Sequence, residues 1–207
     1  MLPLQPETKL WIEQAILPYK SLLPKPFIVI TGKRYTGKTT AAMVLAEEGY
    51  SIHSIAGSLK AAYAKYMGVD LASMYDHRKE TFRKGMIEYA TKMRLVDPDI
   101  FLRDMIKSCW GGNFVTCDDE RYPNEFEALN MLGACQIRIK ADIEVRMQLG
   151  MIPDEWIDND TSETGLDDVP DSWFTEHGKL IDNPGLGYRD LFEREILDFA
   201  QLVSAKM

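Results

Sequence analysis

Short apolar segments alternate with amphipathic segments along most of the chain. The run from Phe27 to Thr31 is apolar, rich in β-branched residues and followed by Gly32, which predicts a strand buried on both faces. Further strands are predicted at 52–55, 113–117, 135–139 and 173–175. Helices are predicted at 7–17, 38–48, 58–67, 78–95, 98–109, 124–132 and 191–203. This alternation indicates an α/β fold, with a parallel sheet flanked by helices in three layers.

Two segments stand apart from this alternation. Residues 1–26 combine an amphipathic stretch with a proline-rich link, so we expect an N-terminal helical extension and linker on a domain that spans 27–207. The stretch at about 141–171 is irregular and acidic. It is interpreted either as a mobile lid that closes over a reaction site and excludes water, or as a plain surface excursion.

The composition limits the classes of partner. The 207 residues are 45% hydrophobic, enough for one substantial core, and 24 basic against 32 acidic side chains leave a formal net charge of −8. This balance provides no electrostatic footprint for nucleic acid or anionic lipid. The sequence has neither a basic leader nor an apolar run of about 20 residues, which predicts a cytoplasmic protein without a membrane partner. Cys109, Cys117 and Cys135 lack metal-type spacing and are expected to be free thiols.

The segment 32–39, Gly-Lys-Arg-Tyr-Thr-Gly-Lys-Thr, lies between a predicted strand and a predicted helix. This is the pattern of a phosphate-binding P-loop, in which glycines permit the dihedral angles that turn backbone N–H groups inward. We expect Lys38 to reach the β- and γ-phosphates of ATP, and the Thr39 hydroxyl to coordinate Mg²⁺. The residues predicted to bind the ATP phosphates are Gly32, Lys33, Arg34, Tyr35, Thr36, Gly37, Lys38, Thr39 and Thr40. The weaker alternative for this segment is an ordinary strand-to-helix turn with an exposed lysine. For the whole chain, the sequence predicts a P-loop NTPase fold with a small lid.

An acidic pair, Asp118 and Asp119, follows the predicted strand at 113–117. A carboxylate at the end of such a strand is what a Walker-B position requires, because it must lie near the Mg²⁺. Acids after strands also cap helices, so a capping role is the alternative. Periodicity leaves open which of the two aspartates faces the metal.

Transfer of a phosphoryl group between two anions needs positive charge on the acceptor and on the migrating group. Arg121 lies three residues after Asp118, so we expect it to project into the crevice where parallel sheets bind ligands. Arg146, in the 141–171 segment, is a candidate to touch the migrating phosphoryl group. The remaining candidates, for which a surface role is the alternative, are Arg34, Lys60, Arg83, Arg94 and Arg138.

Several strings resemble known kinases. Asp-Asp-Glu-Arg-Tyr-Pro-Asn-Glu at 118–125, Ser-Glu-Thr-Gly-Leu-Asp-Asp at 162–168 and Ser-Ile-Ala-Gly-Ser-Leu-Lys at 54–60 resemble the deoxynucleoside monophosphate kinases of bacteriophages. The segments at 82–87, 94–98, 163–168 and 176–178 also resemble animal-type phosphomevalonate kinase. The resemblance implies Lys38 and Thr39 on ATP and Mg²⁺, Lys60, Arg94 and Arg121 on the acceptor phosphate, and Arg146 in the lid. The charge argument adds Arg83 to the acceptor set, and Lys38, Arg121 and Arg146 are the residues expected to be catalytic.

The sequence therefore predicts an ATP- and Mg²⁺-dependent kinase that phosphorylates a (deoxy)nucleoside 5′-monophosphate in the cytoplasm, the host cytoplasm if the chain is of phage origin. The protein is expected to be a monomer or a homodimer. Phosphomevalonate kinase is the alternative, although Tyr35 and Gly150 stand where those enzymes are often basic. The alternative of another class is an ATP-binding switch without a small-molecule acceptor.

Overall fold

The computed structural model describes residues 3–75, 78–112 and 114–206. Its strands are β1 Phe27–Thr31, β2 Ser51–His53, β3 Val115–Glu120, β4 Cys135–Lys140 and β5 Lys179–Asp182. Its α-helices are α1 Pro6–Trp11, α2 Lys38–Glu47, α3 Ala56–Met67, α4 Lys79–Val96, α5 Ile100–Ser108, α6 Pro123–Met131, α7 Ile143–Gln148, α8 Glu155–Asp158, α9 Thr161–Thr164, α10 Asp171–His177 and α11 Arg189–Ser204. The strand order is β2-β3-β1-β4-β5 and each neighbouring pair is parallel, which confirms the predicted α/β fold.

The central strand β1 is buried along its whole length. Because side chains alternate between the two faces of a strand, Phe27 and Val29 enter one hydrophobic cluster while Ile28 and Ile30 enter another. Helices α3, α5 and α6 contribute to the first cluster, and α2 and α11 contribute to the second. The sheet is thus the middle of three layers, and each layer of helices covers one apolar face.

The carboxyl ends of β1 and β3 lie side by side at one edge of the sheet. Phe27 pairs with Val115, and Thr31 pairs with Glu120. The Thr31 hydroxyl donates to the Glu120 carbonyl oxygen at 3.1 Å, which ties the two strand ends together. Ligands of open parallel sheets bind at this edge, so the loop 32–39 and the last residues of β3, 118–120, lie where a site is expected.

The prediction of a strand at 173–175 is wrong, because these residues lie within α10. A short apolar run fits a strand or a helix equally well by periodicity alone. In the helix, the rings of Trp173 and Phe174 pack against Phe126, with centroids 4.8 and 6.0 Å from it. The fifth strand is β5, which the pattern did not predict since only four residues pair there, at the sheet edge.

The N-terminal segment packs into the core. The helix predicted at 7–17 begins as α1, continues as a π-helical turn at Ile12–Ile16 and ends in a 3₁₀ segment at Leu17–Leu22. Ile12 and Ile16 are buried in the same cluster as Val115 of β3. The extension therefore covers part of the first face of the sheet. The division into an extension at 1–26 and a domain at 27–207 stays a prediction.

The three cysteines are free thiols, as their spacing predicts. Cys109 and Cys117 are buried free thiols, and Cys135 is a partly buried one. Within the described part of the chain, no helix has the length and apolar character needed to cross a bilayer.

Candidate active site

The loop 32–39 joins β1 to α2 and curls over the end of the sheet. Gly32 has φ of 141°, and a Cβ atom there would lie 2.3 Å from the Ile139 carbonyl oxygen. Gly37 has φ of 103°, and a Cβ atom there would lie 2.6 Å from Nδ2 of Asn183. Both positions therefore require glycine, for conformation and for space. The structure places the loop at the N-terminus of α2, where backbone N–H groups are available to an anion.

Asn183, directly after β5, forms a hydrogen bond to the backbone of the loop. Its Nδ2 donates to the Thr36 carbonyl oxygen at 2.8 Å, and the Thr36 hydroxyl donates to the Lys33 carbonyl oxygen at 3.0 Å. The sequence analysis missed Asn183. The available signal was an Asn-Pro-Gly turn directly after β5, but only the sheet topology brings this turn to the loop.

Lys38 lies inside the loop and is 7% exposed. Its Nζ donates to the Lys33 carbonyl oxygen at 2.6 Å. Burial lowers the pKa of Lys38 well below its usual range, the charge of Arg121 lowers it further, and Glu163 and Asp118 act in the opposite direction. An ammonium group has three N–H donors, so the Lys33 bond leaves two for an anionic ligand.

Asp118 and Asp119, near the carboxyl end of β3, have different surroundings. Oδ2 of Asp118 accepts a hydrogen bond from the Thr39 hydroxyl at 3.0 Å. Asp119 instead accepts from the Ser54 hydroxyl and from the backbone N–H groups of Ile55 at 2.7 Å and Ala56 at 2.9 Å, so it anchors the start of α3. Burial raises the pKa of Asp118, and the neighbouring Asp119 adds to this shift.

The described residues contain no group of three His, Cys, Asp or Glu side chains that could hold a metal ion. Mg²⁺ does not require such a group, because it is usually held by one or two carboxylates together with substrate phosphates. The pair Thr39 and Asp118 is the arrangement in this chain that matches that pattern.

A cleft of about 410 Å³ extends from the loop toward α3 and α4. Lys38, Thr39 and Thr40 line its loop end. Four of its lining residues are the cations predicted for the acceptor: Lys60, Arg83, Arg94 and Arg121. The remaining wall includes the apolar side chains of Leu59, Met74, Met86, Ile87 and Ala90. The structure therefore brings the predicted ATP end and the predicted acceptor cations together in one cavity.

Lys60 and Arg83 approach the cleft from different helices. Nζ of Lys60 lies 4.4 Å from the ring centroid of Tyr75, a cation–π distance. Arg83 donates to both carboxylate oxygens of Glu80, at 2.8 and 2.7 Å. A bidentate pair fixes the orientation of the guanidinium plane beside the cleft.

Arg94 is held between aromatic rings. Its guanidinium carbon lies 5.0 Å from the Phe101 centroid and 4.3 Å from the Tyr122 centroid, and Nη2 is 3.5 Å from Oε1 of Glu125. Glu125 is buried, and its other oxygen accepts from the backbone N–H of Arg121 at 2.7 Å. Burial raises the pKa of Glu125 to about 7, while Arg94 and the N–H donors act in the opposite direction. Glu125, which the sequence analysis did not assign a role, thus contacts two of the predicted acceptor residues.

The segment 141–171 contains α7, α8 and α9 and folds over the loop. Nε of Arg146 donates to the Arg34 carbonyl oxygen at 2.9 Å. The Arg34 side chain is buried and forms an ion pair with Asp158 at 2.8 Å. Arg146 and Arg138 line a second cavity of about 310 Å³ on the other side of the loop. The structure therefore places these two arginines outside the main cleft.

Glu163 is a second acidic residue of this site to which the sequence analysis assigned no role. It lies in α9, and its side chain is 2% exposed. Oε2 accepts from the backbone N–H of Arg34 at 2.6 Å, and Oε1 accepts from Nη1 of Arg121 at 2.8 Å. The string at 162–168 drew attention to this segment, but no local signal connects Glu163 to Arg34 of the loop, 129 residues earlier in the chain.

Three solved structures of kinases are similar to this chain at low sequence identity. Shikimate kinase from Acinetobacter baumannii is 17% identical, with a TM-score of 0.49, and the alignment covers 92% of this chain and 99% of that one. Shikimate kinase from Aquifex aeolicus is 16% identical, with a TM-score of 0.42 and coverage of 84% and 96%. A sugar kinase from Janibacter sp. is 15% identical, with a TM-score of 0.41 and coverage of 87% and 99%. The fold assignment rests on the strand order and the loop geometry rather than on these likenesses.

A family model described as phosphomevalonate kinase matches residues 30–133. The matched range includes the loop 32–39, the two aspartates of β3 and the four cations of the cleft. It supports an ATP-dependent phosphotransferase that acts on a small molecule. Since the match spans just over half of the 207 residues, the chain belongs to the phosphomevalonate kinase family.

Proposed function

We propose that the protein transfers the γ-phosphoryl group of ATP to the phosphate of a (deoxy)nucleoside 5′-monophosphate. The observation that carries this proposal is the single cleft that has Lys38 and Thr39 at one end and Lys60, Arg83 and Arg94 along its course. A kinase with a phosphate acceptor must hold two polyanions next to each other. A cleft with cations at both ends meets that requirement.

The residues of the loop fit ATP with Mg²⁺. The cradle at Gly37 admits no side chain, and the Thr39 hydroxyl lies 3.0 Å from the Asp118 carboxylate, which is an oxygen donor set suited to a hard cation. Thr39 and Asp118 would hold the ion, while Asp119 serves α3. Bound Mg²⁺ would neutralise negative charge on the β- and γ-phosphate oxygens.

The protein contributes positioning and charge. Lys38 would hold the β- and γ-phosphates from inside the loop, and Arg121 would face the migrating group from the end of β3. Arg146 bonds to the backbone of the loop, so its support for transfer would be through the loop and the lid. The segment 141–171 would exclude water from the phosphates, which limits hydrolysis of ATP.

The acceptor end favours a nucleotide because an apolar wall lies next to the cations. Met74, Met86 and Ile87 offer surface that a planar base can cover, while Lys60 and Arg94 can bind a phosphate. Mevalonate 5-phosphate is the second candidate, and the family match favours it. Its short aliphatic chain would leave more of that wall uncovered.

An acceptor panel tests the proposal. The four deoxynucleoside monophosphates, their ribonucleotide counterparts and mevalonate 5-phosphate are each added with ATP and Mg²⁺, and ADP release and the phosphorus NMR spectrum of the product are recorded. We expect at least one nucleotide to accelerate ADP release and to yield a diphosphate. Turnover of mevalonate 5-phosphate alone would overturn the nucleotide assignment. Lack of acceleration by every acceptor would favour an ATP-dependent switch.

Replacement of Lys38 tests the proposed ATP site. Lys38→Ala should lower transfer by about 10²-fold or more while the fold is preserved, because it removes charge that stabilises the transition state. Lys65→Ala, which changes an exposed lysine of α3, is the matched control and should leave turnover unchanged. A folded Lys38→Ala variant with near-normal turnover would refute the assignment of the loop.

A further inference from the structure

Glu163 is a buried carboxylate between the two cavities of the site. It lines both the cleft of about 410 Å³ and the smaller cavity of about 310 Å³. Burial of an unpaired carboxylate costs several kcal/mol, so a residue of this type persists in a core only with strong partners. Its partners come from the phosphate loop and from the end of β3.

The carboxylate uses one oxygen for each partner. Oε2 accepts the backbone N–H of Arg34 at 2.6 Å, and Oε1 accepts Nη1 of Arg121 at 2.8 Å. A single side chain thereby connects the loop, the strand end and α9. Charge-assisted hydrogen bonds of this length are among the stronger and more directional ones in proteins.

The guanidinium group of Arg121 is held through one nitrogen, Nη1. Nη1 donates to Glu163 and also to the Ser162 carbonyl oxygen at 3.0 Å. In the ranges that the structure describes, Nη2 and Nε of Arg121 have no hydrogen bond to protein. The backbone N–H of the same residue donates to Glu125. The guanidinium group is thus fixed, and its Nη2 and Nε donors remain available to a ligand between the two cavities that Arg121 lines.

We infer that Glu163 is a positioning residue for phosphoryl transfer: it holds Arg121 against the phosphate loop so that the free donors of Arg121 face the cleft. This inference rests on the proposed function, because it assigns Arg121 to the migrating or accepting phosphate. Donors that are already in place when charge develops need no reorganisation during the reaction. The contribution of Glu163 therefore belongs to the transfer step rather than to ATP binding.

Conservative variants separate charge, reach and shape. In Glu163→Gln one carboxylate oxygen becomes an NH₂ donor, so the arrangement with one accepting oxygen for Arg34 and one for Arg121 is lost together with the charge. Glu163→Asp keeps the charge but shortens the reach by one methylene. Glu155→Gln, which changes an exposed carboxylate of α8, is the matched control from the same segment. We expect Glu163→Gln to lower kcat about 10- to 100-fold, Glu163→Asp to lower it less, and the KM for ATP to stay within about threefold.

A double-mutant cycle with Arg121→Ala tests whether Glu163 acts through Arg121. If it does, Glu163→Gln should cost less than about threefold in kcat once Arg121 is absent. An equal loss in both backgrounds, or a wild-type kcat in folded Glu163→Gln, would overturn the inference. A lower melting temperature of Glu163→Gln, without a lower kcat at nearly unchanged KM for ATP, would also overturn the inference. That result would describe an ion pair that only stabilises the fold.

A turnover-independent measurement separates this inference from the acceptor assignment. Failure of the proposed function appears first in the wild type, as no turnover with any monophosphate. In that case the guanidinium N–H signals of Arg121, identified by their loss in Arg121→Lys, decide the question by NMR. Slow hydrogen exchange in the wild type and in Glu155→Gln, with faster exchange in Glu163→Gln, supports positioning. Equal exchange rates in wild type and Glu163→Gln would overturn it.

Discussion

Removal of Asp118 and removal of the adjacent Asp119 are expected to have different effects. Asp118→Ala should lower turnover, whereas Asp119→Ala should lower the free energy of unfolding. Asp119→Ala deletes the acceptor of four hydrogen bonds, from the Ser54 hydroxyl, the Cys117 thiol and the backbone N–H groups of Ile55 and Ala56 at the start of α3. Each backbone donor left without its charged partner costs about 1.5 kcal/mol. Two such donors lower the free energy of unfolding by about 3 kcal/mol, more than the loss of an ordinary helix cap.

Asp118→Ala removes much less from the folded state. Asp118 accepts one hydrogen bond, from Thr39, and burial together with the charge of Asp119 raises its pKa. Loss of this bond costs about 1 kcal/mol, and relief of the repulsion between the two carboxylates offsets part of that cost. Turnover should nevertheless fall by about 10²-fold or more, because Thr39 and Asp118 are the proposed ligands of Mg²⁺.

Urea unfolding followed by tryptophan fluorescence measures the stability of the two variants, and ADP release at saturating substrate measures their turnover. Asp118→Asn and Asp119→Asn keep the shape and serve as matched controls for volume. We expect stable but inactive protein for Asp118→Ala and destabilised protein for Asp119→Ala. If Asp119→Ala unfolds at the wild-type urea concentration, the anchoring of α3 is wrong; if Asp118→Ala retains turnover, the metal assignment is wrong.

Three further predictions concern the core, the loop and pH. Ile12→Ala should lower the free energy of unfolding by about 2–5 kcal/mol, whereas Leu10→Ala, on the half-exposed face of α1, should cost less than about 0.5 kcal/mol in the same urea assay. Gly32→Ala should abolish ATP binding measured by calorimetry, because its Cβ would lie 2.3 Å from the Ile139 carbonyl oxygen at φ of 141°. Burial raises the pKa of Glu120 to about 8, so the folded state holds a proton that the unfolded state releases near pH 4.5. The free energy of unfolding should therefore fall as pH rises from about 4.5 to about 8, by about 1.4 kcal/mol per pH unit and at most about 5 kcal/mol in total. In Glu120→Gln the free energy of unfolding should depend less on pH over this range.

Each of these predictions has a contrary result. Equal costs for Ile12→Ala and Leu10→Ala would show that residues 1–26 do not share the core. A Gly32→Ala variant that binds ATP normally would show that the loop can move away from β4. An unfolding free energy of Glu120→Gln that follows the wild-type pH curve would show that Glu120 does not hold the extra proton.

The segments that could be predicted from the sequence are those whose signal is local. β1, the loop and α2 follow one another without interruption, and their apolar run, glycines and Lys-Thr pair each indicate the same structure. The four cations of the cleft were predicted from charge and resemblance, and their convergence on one cavity required the fold. The strand predicted at 173–175 failed because three apolar residues have too little length to show a period.

By itself the sequence determined the α/β fold and predicted a phosphate-binding loop at 32–39, because a contiguous loop carries all the residue types that such a loop needs. Only the tertiary structure decided that Asp118 meets Thr39 while Asp119 anchors α3, since neighbouring side chains differ in direction, and periodicity does not report their partners. It also decided that Glu163 reaches the loop and Arg121 from far along the chain. Contacts of that kind depend on how layers pack, and packing is a property of the whole fold rather than of any segment.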